Sequence, residues 1–413
     1  MLTILHPEII PLVRDIPIGI IPFHFTDNQH PTLVVKALKE AILASKLEQG
    51  FKIYVVPINI FNHKTLGLIS AFFDDEDEPL VIYSPLFEGP DTEVLINLLL
   101  SRNIDVYLFD ENSREYLGYE ADIECNSSTK NILENSNFLP LKLSYARKLH
   151  DQMKMWFRLR TAEDDMSAIT ISFNNPLVPE DLVIQDLLPQ NHSYRGANPF
   201  SFTTLIRKEP GPYQERDIIR LLHRVFLPDQ IYLNPLRSTD KEEIVDVLVA
   251  AKNHILLIQA KDSPNTKPII KNTIKRKKST ITKNLNKATK QMKGALRYIK
   301  SRSPISMILC GKEYELEIGD RELRTLVLVK ELFDDEFSVY SQIILEFVQS
   351  TSIPCIALDY SELNMYTANL RDENSFFEAY DRVFTYGIQN GVFPRLRILP
   401  NQKIIDFSKE EYT

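Results

Sequence analysis

Apolar and polar positions follow two rhythms along the chain. In the first third, short apolar runs with period-two alternation predict strands at 51–60, 65–73, 80–83 and 104–109, with a helix at 92–101. The acidic run at 74–78 falls between two of these strands and reads as a solvated turn. A polar stretch, CNSSTKNILENSN at 125–137, predicts a linker, and a helix follows at 141–160. Residues 165–210, with scattered Pro, Asn and Gly, read as short strands and loops. From 212 the pattern sharpens. Ile218, Ile219, Leu221, Leu222, Val225 and Phe226 give one apolar face to a helix at 213–226. Strands are predicted at 231–236, 243–249, 254–261, 305–310, 323–329 and 356–358, and helices at 280–301, 337–349 and 374–389. Strands alternating with helices imply a partly parallel sheet.

The composition adds limits. A chain of 413 residues exceeds one ordinary core, and 44% apolar with 25% charged residues is globular rather than disordered. The expected division is an α/β domain at 1–130, a helical and irregular connector at 131–210, and a third domain at 211–413 with a C-terminal α/β extension. No apolar run approaches the roughly 18 residues of a membrane span. The opening MLTILHPEIIPLVRD lacks the basic region and cleavage site of a secretory signal. The three cysteines, Cys125, Cys310 and Cys355, have no paired spacing, which suits a reducing compartment. These features together lead to the expectation of a cytoplasmic protein with no membrane partner.

Charge changes the picture more. The net charge is -8, yet residues 263–302 hold thirteen Lys or Arg and no Asp or Glu. A strongly basic segment therefore lies on an acidic body. Such a run can be merely a solvated face, but a surface of one sign without interleaved acids is uncommon. Basic clustering is the footprint of phosphate binding, which makes Lys275, Arg276, Lys277, Lys278, Lys283, Lys287, Lys290, Gln291, Lys293 and Arg297 candidate nucleic-acid contacts.

Immediately before this segment stands EIVDVLVAAKNHILLIQAK, residues 243–261. Two apolar strands flank the polar pair Lys252-Asn253, a hairpin signal. Side chains alternate, so Gln259 and Lys261 share a face. A turn centred on 251–252 sets Asp246 opposite residue 257 and diagonal to Gln259, within reach of a common ion. The bland alternative is an edge-strand acid beside an ordinary strand end. An acid, an amide and a lysine emerging from an apolar hairpin nevertheless demand compensation, because burying them unpartnered costs several kcal/mol.

Asp246, twelve residues, then Gln259-Ala260-Lys261 resembles the PD-(D/E)xK restriction-endonuclease-like superfamily, and most of all its Mrr-type branch, where Gln often replaces the second acid. The likeness covers about residues 212–310. No Pro precedes Asp246. The resemblance implies a multidomain α/β protein with a restriction-endonuclease-like mixed sheet flanked by helices. It implies that Asp246, Gln259 and the carbonyl of Ala260 hold Mg²⁺ (or Mn²⁺), and that Lys261 steadies the attacking water or the phosphorane charge. A hard cation wants oxygen ligands, and phosphodiester cleavage needs an activated water and a neutralised phosphate. An upstream helix often adds an acid in this superfamily, so Glu215 joins the candidates; as a first-turn acid it could equally serve the helix dipole. Gln291 and Tyr298 loosely resemble the QxxxY element of some members.

The expectation is a Mg²⁺-dependent DNA endonuclease, RNA not being excluded, of the kind found in bacterial restriction or phage defence. Cutting both strands commonly requires two active sites, so a second copy or a partner protein is expected through the N-terminal region. Replacing Glu by the neutral Gln259 supports the rival, a nuclease-like subunit that binds nucleic acid without cutting. No GxxxxGK[ST], GxGxxG, HExxH or GxSxG occurs, which disfavours nucleotide hydrolysis, dinucleotide binding, and zinc- or serine-hydrolase chemistry.

Overall fold

The computed structural model describes all residues except 26–29, 61–62, 76–77, 181, 199–200, 394 and 396–413. The middle of the predicted 74–78 turn and the end of the predicted third domain thus lie outside the described residues. The chain divides into two compact units: residues 1–184, 204–206 and 265–272, and residues 185–203, 207–264 and 273–413. The expected three-part division does not hold.

The first unit is built on an eight-stranded mixed sheet in the order Gly19–Phe23, Thr32–Lys36, Asn103–Phe109, Glu115–Glu124, Ile169–Pro176, Gly50–Ile60, His63–Phe72, Leu80–Pro85. Among the described residues, only Thr32–Lys36 and Asn103–Phe109 are neighbouring strands of this sheet that pair in parallel. Two features move the predicted boundary. The polar run at 125–137 contains a helix, Ser127–Glu134, because the Asn126 side chain accepts from the backbone of Thr129 and caps it. The helix Leu143–Arg158 belongs to this unit, since Leu149, Met153 and Phe157, spaced by four, are buried in its core. A Cβ on Gly67 would sit 2.4 Å from the sulfur of Met153, so the Met153 side chain lies directly over this glycine. Ile169, Ile171 and Phe173 then alternate inward along a central strand. Two stretches of the expected connector, Leu143–Arg158 and Ile169–Pro176, thus contribute to the core of the first unit.

The second unit carries a five-stranded sheet in the order Ile231–Leu233, Val247–Ala250, His254–Lys261, Glu322–Val329, Cys355–Asp359. The first three strands are antiparallel and the last two join in parallel. The predicted C-terminal extension is therefore part of this sheet. The centre is apolar without alternation: Ile255 to Ile258 and Leu326 to Val329 are all buried, as strands covered on both sides require. The helix Ile274–Lys300 packs on the two central strands through Ile281, Leu285, Ala288, Met292, Ala295 and Ile299. It begins six residues earlier than predicted, which puts Lys275 to Lys278 on its first turns. The helix Gly211–Leu222 packs on His254–Lys261 and against the helix Tyr360–Asn369. The mixed α/β class expected from the pattern is what forms.

Candidate active site

The site grows from the hairpin Val247–Ala250 and His254–Lys261. Its closing hydrogen bond runs from the Ala251 amide to the His254 carbonyl at 2.9 Å, so the turn centres on Lys252-Asn253. The register pairs Val247 with Ile258 and Leu248 with Leu257. Continued one residue, it sets Asp246 opposite Gln259, not opposite residue 257 as expected. The strand also starts at Val247 rather than at 243, because the preceding segment is held elsewhere. The Ile244 amide donates to the Pro235 carbonyl, Glu243 bridges Leu236, and the Asn234 amide donates to the Asp246 carbonyl. Asn234, with φ 46°, takes the left-handed corner that Asn tolerates.

The result is a closely linked group. Asp246 and Gln259 are buried, at 5% and 3% exposure. The Gln259 amide nitrogen and the Ala260 backbone N–H both donate to Asp246 Oδ2. The Lys261 ammonium stands 3.6 Å from the same oxygen and donates to the Ala260 carbonyl at 2.7 Å. Glu215, half-buried on its helix, accepts from Asn234 Nδ2 at 2.8 Å. Asn234 Oδ1 is buried without a hydrogen-bond partner. Candidates from three stretches of sequence thus meet at one end of the sheet.

Glu243 completes the group, although the hydrophobic pattern marks it only as the first residue of a strand. Its spacing of three from Asp246 was the available signal. Glu243 is exposed as a residue, and the charges of Asp246 and Glu215 act on its carboxyl. Desolvation, then the charges of Asp246 and Glu215, push Glu243 up to about 7. Desolvation also pushes Glu215 to about 7, opposed by the Asn234 hydrogen bond. Burial raises Asp246 too, with Lys261 and the Ala260 N–H pulling it back. Three carboxyls therefore repel one another, opposed by the Lys261 ammonium and, at Glu215, by Arg216.

These shifts have a consequence for stability. A carboxyl whose folded pKa lies above its unfolded value binds more protons when folded, so stability is lost as pH rises. The window runs from about 4.5, the ordinary glutamate value, to about 7. Thermal unfolding should show a midpoint that falls between pH 5 and pH 7.5. The Glu215→Gln/Glu243→Gln double variant should flatten this fall. A midpoint independent of pH in the native protein would contradict the electrostatic picture.

The available donors are oxygens, as a hard cation requires: the carboxylates of Asp246 and Glu215, the Ala260 carbonyl, the Gln259 amide oxygen after a half-turn of its amide, and the orphaned Asn234 Oδ1. Among the described residues no three His, Cys, Asp or Glu side chains are grouped to hold a metal ion. The fit therefore depends on amide and carbonyl oxygens as well as acids.

The remaining candidates divide. Lys275, Arg276, Lys283, Lys287, Lys290 and Arg297 are exposed on the long helix, and Lys277 and Lys293 are half-exposed. Lys278 is ion-paired with Asp335. Gln291 is exposed, whereas Tyr298 is buried and donates to the Ser306 carbonyl at 2.6 Å while accepting from the Ser238 amide. The pair does not come together at the site, because the helix turns Tyr298 toward the small sheet Leu236–Arg237, Ile305–Leu309, Lys312–Leu316. No helix among the described residues is long and apolar enough to cross a membrane.

Comparison with models of protein families, with characterised proteins and with solved structures gave no match.

Proposed function

We propose that the second unit is a metal-dependent nuclease that hydrolyses phosphodiester bonds of DNA. The observation that carries this reading is the convergence of Glu215, Asp246, Gln259 and Lys261, from separate segments, on one desolvated end of the sheet. Asp246, the Ala260 carbonyl, the Gln259 amide oxygen and Glu215 would hold Mg²⁺ or Mn²⁺. Such an ion supplies Lewis-acid neutralisation of the phosphate and a more acidic water. Lys261, anchored between Asp246 and Ala260, offers its ammonium to the charge that develops on the phosphate. Glu243, which is not among those ligands and is raised to about 7, is suited to take the proton released by the attacking water.

One observation favours a second reading, a nuclease-like subunit that binds nucleic acid without cutting it. Gln259 brings no charge, and its amide nitrogen rather than its oxygen faces Asp246. Plasmid and linear DNA incubated with the protein and Mg²⁺ or Mn²⁺ separate the two. Cleavage that Lys261→Ala lacks supports the enzyme; binding with no cleavage under either metal supports the subunit.

A further inference from the structure

The helix Ile274–Lys300 carries more order than a basic run needs. At 100° per residue, Arg276, Lys283, Lys287, Lys290 and Arg297 fall within an arc of about 80°. All five are exposed. The residues that pack on the sheet, Ile281, Leu285, Ala288, Met292 and Ile299, lie on the opposite side. The cations form a straight row about 31 Å long, at 1.5 Å rise per residue. The helix holds no acid, so no partner along its own length neutralises the row. At the far end Arg237 reaches within 3.6 Å of a Cβ built on Gly294, and it is itself paired with Asp240 and Glu242. The row is therefore most positive from Arg276 to Lys290.

We infer that this row is a docking surface for the backbone of double-stranded DNA, bound without regard to sequence; the choice of DNA rests on the nuclease reading. Two observations favour a duplex over a single strand. The row is rigid and straight over about nine base pairs at 3.4 Å each. Single-strand surfaces add aromatic platforms on which bases stack, and the only aromatic on this helix, Tyr298, is buried and bonded to Ser238 and Ser306. Ammonium and guanidinium groups on a solvated helix contact phosphates and carry no base code.

Fluorescence anisotropy in Ca²⁺ or EDTA, without turnover, tests this separately from cleavage. A 20-base-pair DNA duplex should bind at least tenfold more tightly than its single strand or a 6-base-pair duplex. Affinity should be the same for unrelated sequences. The variant K283Q/K287Q/K290Q should lose at least tenfold in affinity and make the salt slope shallower by about 2.7, at about 0.9 per phosphate contact. Its thermal midpoint should be unchanged, since the three side chains are exposed. Lys300→Gln, whose ammonium instead donates to the Thr351 carbonyl, should bind as the native protein does. Equal binding of single strands, tighter binding of duplex RNA, or equal losses in the triple variant and Lys300→Gln would each overturn the assignment. A protein that binds as expected yet never cuts would refute the nuclease reading and leave the surface standing.

Discussion

Lys261→Ala is expected to lower the rate of DNA cleavage by about a hundredfold or more, with duplex binding and folding retained. Deleting one donor aimed at developing charge typically costs 10²–10³ in rate. Lys261 is half-exposed, and its ammonium is held between Asp246 Oδ2 and the Ala260 carbonyl. Without the ammonium, Asp246 still accepts from the Gln259 amide nitrogen and the Ala260 N–H, so the variant is expected to stay folded. The substitution also removes an ammonium whose charge opposes protonation of both glutamates, so Glu215 and Glu243 should bind protons still more readily. The residual rate of Lys261→Ala should accordingly climb to a higher pH than that of the native protein. Single-turnover cleavage across pH 6–9, beside thermal unfolding of both proteins, measures all of this. A variant that cuts at the native rate would remove Lys261 from the chemistry.

The second large effect concerns the helix that brings Glu215 to the site. Arg207, just ahead of Gly211–Leu222, is fully buried and donates to Asp217 at 2.7 Å and to the Thr203 hydroxyl at 2.6 Å. Asp217 lies two residues beyond Glu215 on the same helix. Arg207→Ala strips a buried carboxylate of its counter-charge, which typically costs about 3–5 kcal/mol. Arg207→Met/Asp217→Leu removes both charges and should recover most of that loss, because a buried pair contributes little net stability over apolar groups of similar volume. Urea unfolding of the native protein and the two variants gives the three values. If Arg207→Ala unfolds within about 1 kcal/mol of the native protein, the pair does not hold the helix. Metal-dependent cleavage by the double variant would further show that the pair positions Glu215 through the helix and takes no part in the chemistry.

The two effects bear on different links of the same chain. Lys261 acts on charge at the reacting atoms, and Arg207 acts on the placing of a helix. A kinetic loss without a stability loss, and the reverse, would distinguish these roles.

Elements whose side chains follow a strict period are legible in the chain alone. The strand His254–Lys261 and the helices Phe337–Thr351 and Glu373–Asn390 begin and end within about two residues of the pattern. Also legible there is the pairing of Gln259 with Lys261 on one face, which period two fixes locally. The tertiary structure alone decided what depends on residues distant in the chain. The hairpin register shifted by two because Ile244 and Asp246 bond to Pro235 and Asn234, a constraint absent from the hairpin's own sequence. The strand Ile169–Pro176 fell in a region read as short strands and loops, and its place was set only by its neighbours Glu115–Glu124 and Gly50–Ile60. Glu243 gained its place through the Leu236 bridge and the nearby charges of Asp246 and Glu215. The D-x12-QxK spacing could be read from the chain, whereas the desolvation and repulsion that move these carboxyls toward neutrality arise only once the segments meet.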